Sequence, residues 1–242
     1  PDGYLVKPVT PKNLKDRLLK SLQMKDAMRL IDAAIDEGDF LTAIKYCDRK
    51  IVEKDRYLIR TLKTKAWLLT KTNEYDHAKQ VYESILQAND FSWAEYGLAK
   101  IATKQKNYPR AIQLLKNIIS KDPHQLDAMD LLAEIYKQQN KKTEAQTLVE
   151  KAVSFSPNSL ARQKELAELY AESNQAEKAI EAFRKTIKLS DQSVYAKPKH
   201  FFDFANYLAD IAKNEDNPEA NAYTKEAFDL IQKSTKRFST TK

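Results

Sequence analysis

Apolar and polar residues alternate along this chain with helical spacing, and the same pattern returns every 33 or 34 residues. Four alanines mark the period, Ala78, Ala111, Ala145 and Ala179, and a weaker copy places Ala43 before them. A polar segment with asparagine or glycine precedes each alanine, and such residues suit a left-handed turn between two helices. A period of this length predicts stacked helix–turn–helix units, none of which buries its apolar face alone.

Large apolar residues and prolines complete the repeated pattern. Leu132 and Tyr136 form an apolar seam along one helix, while Pro123 and Pro157 follow the second helices at a spacing of 34 residues. Proline ends a helix because its ring blocks the regular hydrogen bond. The sequence therefore predicts about five repeated helix pairs, and a terminal pair at residues 199–212 and 219–236.

These positions together resemble the tetratricopeptide repeat. Residues 126–159 give the best match, and residues 24–58, 59–91, 92–125 and 160–193 give weaker ones. The residues that agree in the best unit are Leu132, Ala133, Tyr136, Ala145, Ala152 and Pro157. The resemblance implies an all-α fold, a right-handed α-solenoid over residues 23–236, in which the first helix of each pair lines a concave face that binds proteins. A generic bundle of amphipathic helices is the alternative.

The first 22 residues follow a different pattern. Asp2-Gly-Tyr-Leu-Val-Lys-Pro8 predicts a turn and a short β-strand, and Thr10 with Pro11 predicts the start of a helix with a stripe of leucines. This segment resembles the last strand and last helix of a response-regulator receiver domain, in which a lysine equivalent to Lys7, followed by proline as at Pro8, contacts a phosphorylated aspartate. The resemblance implies a receiver remnant at residues 1–22 and makes the repeats the output domain of a two-component phosphorelay protein. The alternative is a strand and helix that simply cap the first repeat.

Charged and aromatic residues are unevenly distributed over the predicted first helices. The second and third repeats place basic and aromatic residues there, namely Arg60, Lys63, Trp67, Lys71, Trp93, Tyr96, Lys100 and Lys104. The fourth and fifth place acidic residues there, Asp127, Asp130, Glu134, Glu165, Glu168 and Glu172, which Lys137 and Lys164 partly offset. The resemblance implies that these residues line one groove that binds a protein or peptide partner. The part of the partner that contacts the basic end of the groove is expected to be acidic. The alternative is that they are ordinary solvated helix surfaces.

Composition narrows the function further. The formal net charge of +7 is spread along the chain, without the dense basic block typical of nucleic-acid binding. Residues 237–242 form a basic tail. Cys47 is the single cysteine, which excludes an internal disulfide and fits a reducing compartment, so a cytoplasmic location is predicted. The sequence contains no apolar run of about 18 residues, so it predicts no membrane span.

The sequence contains no pattern that predicts catalysis. His77, His124 and His200 fall in different repeats without metal-ligand spacing, and Gly3, Gly38 and Gly97 are too isolated for a phosphate-binding loop. We therefore predict a protein-interaction module without enzymatic activity, metal or cofactor. Two alternatives remain. One is homodimerisation through the N-terminal segment or the aromatic C-terminal pair, and the other, less favoured, is nucleic-acid binding by the basic aromatic side.

Overall fold

The computed structural model describes residues 10–54, 56–213 and 217–239, and within them the chain forms twelve α-helices and no β-strand. The helices are α1 (Pro11–Asp36), α2 (Phe40–Glu53), α3 (Leu58–Lys71), α4 (Tyr75–Ala88), α5 (Ser92–Lys104), α6 (Tyr108–Lys121), α7 (Leu126–Gln138), α8 (Lys142–Phe155), α9 (Leu160–Glu172), α10 (Ala176–Asp191), α11 (Pro198–Ala212) and α12 (Ala220–Phe238). The all-α prediction is confirmed for this part of the chain. The predicted strand, with Lys7 and Pro8, lies outside the described residues.

The helices divide into two compact units, one ending at Leu114 and the other beginning at Leu115, inside α6. In the first unit α1 packs on α2, α2 on α3, α3 on α4 and α4 on α5, and α3 also contacts α5. In the second unit each of α7 to α11 packs on the helix that follows it. Short turns join these packed neighbours, so each unit is a row of antiparallel helical hairpins.

The marker alanines lie on the second helix of each predicted pair, and they are all fully buried. Ala43, Ala78, Ala111, Ala145 and Ala179 are all 0% exposed. A methyl group allows helices to approach closely, and a larger side chain at these positions would overpack the core. The repeat register predicted from the sequence is therefore confirmed in both units.

Each of these second helices follows a residue with left-handed backbone geometry. These residues are Gly38 (φ 77°), Asn73 (φ 62°), Lys106 (φ 57°), Asn140 (φ 59°) and Asn174 (φ 56°). The residue after each donates its N–H to a carbonyl five positions back, at 2.8 to 2.9 Å. This pattern satisfies the free carbonyls at the end of a helix and turns the chain sharply. Four of the five turns use glycine or asparagine, as the sequence predicted.

Helix α1 continues without a break from Pro11 to Asp36, through the boundary predicted at residue 22. Thr10 caps it, because its hydroxyl accepts the Asn13 N–H at 3.2 Å. The second half of α1 buries Met28 and Ile31 against α2. The leucines of the first half are exposed, with Leu14 at 39%, Leu18 at 55%, Leu19 at 46% and Leu22 at 62%. The alternative interpretation, in which this leucine stripe caps the first repeat, is therefore wrong, since the leucines are exposed.

The terminal helix pair is held by aromatic packing. Phe183 stacks on Phe204 with ring centroids 5.2 Å apart, and Phe201 meets Phe238 of α12 edge-on at 6.0 Å. Arg237 donates to the Ser193 carbonyl at 3.1 Å. Residues 237 and 238 therefore belong to α12, although the sequence assigned them to a basic tail.

Candidate partner-binding site

The predicted basic and aromatic residues share one side of α3 and α5 in the first unit. On α3, Lys63, Trp67 and Lys71 follow one another at intervals of four, which places them on one face of the helix. On α5 the spacing of four repeats at Tyr96 and Lys100. We call this surface the basic–aromatic face. Its residues are Arg60, Lys63, Trp67, Lys71, Trp93, Tyr96, Lys100 and Lys104.

Three lysines of the basic–aromatic face lie over aromatic rings. The Nζ atom of Lys63 is 5.0 Å from the Trp93 ring centroid, so this contact joins α3 to α5. Lys71 lies 5.8 Å from the centroid of the Trp67 ring, and Lys100 lies 5.8 Å from that of Tyr96. A ring face attracts a cation by about 0.5–1 kcal/mol at exposed sites. These contacts therefore orient the ammonium groups without neutralising them.

The two tryptophans occupy different environments. Trp67 is 38% exposed and meets Phe40 of α2 edge-on, with ring centroids 6.3 Å apart. Trp93 is less exposed, because its ring lies 6.4 Å from Tyr82 and 5.5 Å from Phe91. Trp67 can therefore offer apolar area to a partner, whereas Trp93 mainly fills the seam between helices and supports Lys63.

The positive charge of this face is not neutralised by carboxylates of the described part of the chain. Arg60, Lys63, Lys71, Lys100 and Lys104 are all exposed. Within residues 10–54, 56–213 and 217–239, none of them has a carboxylate oxygen within 4.0 Å. Lys65, on the same helix α3, does have such a partner, since its Nζ lies 2.6 Å from Asp48. The five cations therefore remain available to an anionic partner.

Most of the acidic residues predicted on α7 and α9 form ion pairs within the second unit. Arg162 binds Asp130 through two parallel hydrogen bonds, Nε to Oδ1 at 2.9 Å and Nη2 to Oδ2 at 2.7 Å. This hydrogen bonding raises the pKa of Arg162 above its ordinary value. Lys164 pairs with Glu168 and also lies 3.4 Å from Asp203. Most of this acidic surface is therefore already compensated by cations of the same unit.

Further ion pairs connect the other acidic residues. Lys137 of α7 binds Glu165 of α9 at 2.8 Å, and Lys142 binds Glu172 at 3.2 Å. Lys137 was recognised from the sequence, but Arg162 and Lys142 were not. Arg162 could have been found from the sequence, because it lies 32 residues, about one repeat, after the acidic Asp130. Two predicted site residues, Asp127 and Glu134, are exposed, and Glu134 accepts a hydrogen bond from Gln138 at 3.3 Å.

Other kinds of site have little support in the described part of the chain. No three His, Cys, Asp or Glu side chains there are grouped as metal ligands. Burial raises the pKa of the Cys47 thiol to about 12, so the sulfur stays protonated and unreactive at neutral pH. None of the described helices is long and apolar enough to span a membrane.

Two segments of the chain match family models of the tetratricopeptide repeat, residues 102–162 and residues 165–193. These segments contain tetratricopeptide repeats. No curated protein matches the chain. The matched segments include the units that the sequence pattern identified most clearly.

Solved structures with similar folds agree with the repeat assignment. The C-terminal part of a TPR repeat-containing protein from Cytophaga hutchinsonii is 17% identical, with a TM-score of 0.67 over 87% of this chain and 81% of that one. MamA from Desulfovibrio magneticus RS-1, from residue 41 to its end, is 20% identical, with a TM-score of 0.58 over 70% of this chain and 96% of that one. Likeness at these identities concerns the fold alone.

Proposed function

We propose that this chain is a protein-interaction module and that its basic–aromatic face binds an acidic segment of a partner protein. The observation that carries the proposal is the set of three lysines that lie on aromatic rings and have no carboxylate partner among the residues that the structure describes. Exposed aromatic residues with adjacent cations are typical of energetically important interface positions. Trp67 supplies apolar contact area, and the lysines favour an acidic segment through on-rate and specificity.

A peptide titration tests the basic–aromatic face. The probe is the fluorescein-labelled hexapeptide Glu-Leu-Glu-Leu-Glu-Leu. We expect Lys63→Glu/Lys100→Glu to weaken its binding roughly tenfold or more. The matched control is Lys185→Glu/Lys188→Glu, which makes the same charge change at exposed positions of α10, and it should alter affinity less than about twofold because only screened long-range charge is affected. Equal losses in both double variants would assign the binding to net charge and reject the proposed face.

Trp67→Ala tests the aromatic part separately. Because Trp67 is 38% exposed, we expect its truncation to weaken binding with only a small loss of stability. A structural seam residue would behave in the opposite way, with a loss of about 3–5 kcal/mol in the free energy of unfolding. Steep loss of affinity for single-stranded RNA with rising salt, in place of peptide binding, would favour the nucleic-acid alternative.

We further propose that the repeats act as the output domain of a response regulator. Two observations support this role. Residues 2–8 resemble the end of a receiver domain, and α1 carries exposed Leu14, Leu18 and Leu22, which a receiver sheet would cover. Sequencing the transcript upstream of the Pro1 codon tests it. We expect an acidic pocket and an acceptor aspartate there, and their absence would reject the role.

Self-association is the second candidate function. It is favoured by exposed apolar side chains on the last hairpin, where Phe202 is 40%, Phe228 59% and Ile231 40% exposed. Light scattering over a range of concentrations tests it against the monomer mass of 27.9 kDa. A mass that stays at the monomer value would exclude this candidate.

A further inference from the structure

An open crevice lies among α6, α7 and α8 of the second unit. Its cavity has a volume of about 400 Å³, and its apolar lining consists of Ile119, Pro123, Leu132, Tyr136 and Leu148. Leu132 is 2% exposed and Tyr136 is 8% exposed, so the floor consists of otherwise buried core residues. A volume of this size falls in the range of binding sites for organic groups.

Two lysines stand at the edge of the crevice. Lys116 of α6 and Lys151 of α8 both line the cavity, and both side chains are exposed. Across residues 10–54, 56–213 and 217–239, neither ammonium group has a carboxylate oxygen within 4.0 Å. The crevice therefore combines an apolar floor with a positively charged rim.

The first unit contains the equivalent crevice one repeat earlier. Leu98 and Leu114 line it, and they precede Leu132 and Leu148 by 34 residues each. Its cavity is only about 120 Å³. A crevice between successive second helices is thus a feature of the repeat, but the wide form belongs to the second unit.

The rim of the smaller crevice is also different. Lys79 and Glu83 form an ion pair at 3.8 Å, and Arg110 donates to Gln113 at 2.9 Å. All but Gln113 line that cavity. At this rim Lys79 therefore has a carboxylate partner and Arg110 a neutral amide partner, whereas in the described part of the chain neither rim lysine of the second unit has a carboxylate oxygen within 4.0 Å.

We propose that the crevice of the second unit is a docking site for an acidic peptide segment of a partner protein. One large apolar side chain of the segment enters between α6 and α8, and a neighbouring carboxylate binds Lys116 or Lys151. A peptide fits better than an enclosed small molecule, because Lys116, Ser120, Pro123 and Lys151 are exposed and leave the crevice open. This site shares no residue with the basic–aromatic face.

A short peptide tests the site on the full chain. The probe is the acetylated and amidated tripeptide Glu-Phe-Glu, and binding is followed by the amide chemical shifts of α6, α7 and α8. We expect Lys116→Glu/Lys151→Glu to weaken the affinity for this probe, determined from these shifts, by at least tenfold. Replacing the probe's glutamates by glutamine, or its phenylalanine by alanine, should have the same effect, because both parts of the site are needed. Lys185→Glu/Lys188→Glu is the matched control and should change affinity less than twofold.

The outcome is separable from that of the first site. Lys63→Glu/Lys100→Glu should leave the shifts in α6, α7 and α8 unchanged, so failure at one site does not decide the other. The proposal is overturned if the shifts are confined to α3 and α5, or if the glutamine peptide binds equally well. It is also overturned if decanoate binds in the crevice and the tripeptide does not, since that result assigns the crevice to small carboxylates. Thermal melts check that the variants remain folded.

Discussion

Charged residues on α3 and α5 differ from those on α7 and α9 in what they contact. In the first unit Lys63 and Lys100 lie on aromatic rings. In the second unit Asp130 and Glu165 bind basic side chains of the same unit. The sign of the charge along a helix therefore does not show whether that charge is available to a partner. Its contacts in the folded chain decide this.

Both units link successive first helices, but by different means. Lys63 of α3 reaches Trp93 of α5, and the aromatic ring leaves its charge exposed. Arg162 of α9 reaches Asp130 of α7 through two hydrogen bonds, and each charge neutralises the other. A bidentate arginine–carboxylate pair is also geometrically specific, so it fixes the two helices in register. The second unit thus uses these charges to join helices, whereas in the first unit the lysine charge stays exposed.

The largest predicted effect concerns Gly97, which allows α5 to approach α4. A β-carbon at this position would lie 2.3 Å from Cζ of Tyr82, well inside contact distance. We expect Gly97→Ala to destabilise the chain by about 1–3 kcal/mol through overpacking, even though alanine favours helices. Peptide binding at the basic–aromatic face should weaken as well, because α5 carries half of that face.

Urea unfolding and the fluorescein-peptide titration measure both effects. Gly38→Asn is the control, because Gly38 has a left-handed φ of 77° and a β-carbon there would meet no other atom within 4 Å. Asparagine tolerates that conformation, so the control should stay close to the parent. If Gly97→Ala unfolds at the parent's urea concentration, the Tyr82 ring must move aside at no cost and the close approach is unimportant.

The next prediction tests whether the charges of the Arg162–Asp130 pair stabilise the fold. Asp130→Asn removes the carboxylate from Arg162, whose side chain is only 16% exposed. We expect a loss of about 1–2 kcal/mol in the free energy of unfolding, less than for a fully buried pair because Asp130 is itself partly exposed. Glu134→Gln is the matched control on the same helix, and it should cost less than about 0.5 kcal/mol. Equal losses in the two variants would show that the Arg162–Asp130 pair is no stronger than an ordinary surface charge.

The sequence predicted the fold better than it predicted the site. The marker alanines and the asparagine turns are local signals, and each determines a helix crossing or a helix end by itself. Ion pairing is not local, since Arg162 and Asp130 are 32 residues apart and meet only when successive repeats pack. The exposure of the α1 leucines was not predictable either. An apolar stripe indicates that a helix packs against another surface, but it does not identify that surface.

A smaller, stabilising effect is predicted at Lys106. Its φ of 57° is left-handed, whereas the equivalent turns use Gly38, Asn73, Asn140 and Asn174. A β-carbon is disfavoured in this region, and asparagine tolerates it better than lysine does. We expect Lys106→Asn to raise the free energy of unfolding by about 0.5 kcal/mol, measured as a higher urea midpoint. The reverse exchange, Asn140→Lys, is the control and should lower stability by a similar amount. No change in either variant would mean that the turns tolerate both residues equally.

The smallest effect on stability is predicted where the effect on binding is large. Lys63→Met and Lys100→Met remove the charges from the basic–aromatic face but retain an unbranched side chain that can lie on Trp93 and Tyr96. Each lysine–ring contact is worth about 0.5–1 kcal/mol, and a methionine sulfur recovers part of it on an aromatic ring. We therefore expect a change of less than about 0.5 kcal/mol in unfolding for the double variant, together with a roughly tenfold loss of affinity for the glutamate–leucine peptide. Asp130→Asn should show the opposite pattern, with lower stability and unchanged peptide affinity. If the methionine variant loses stability as Asp130→Asn does, the lysines of the first unit are structural too, and the two units do not differ in how they use charge.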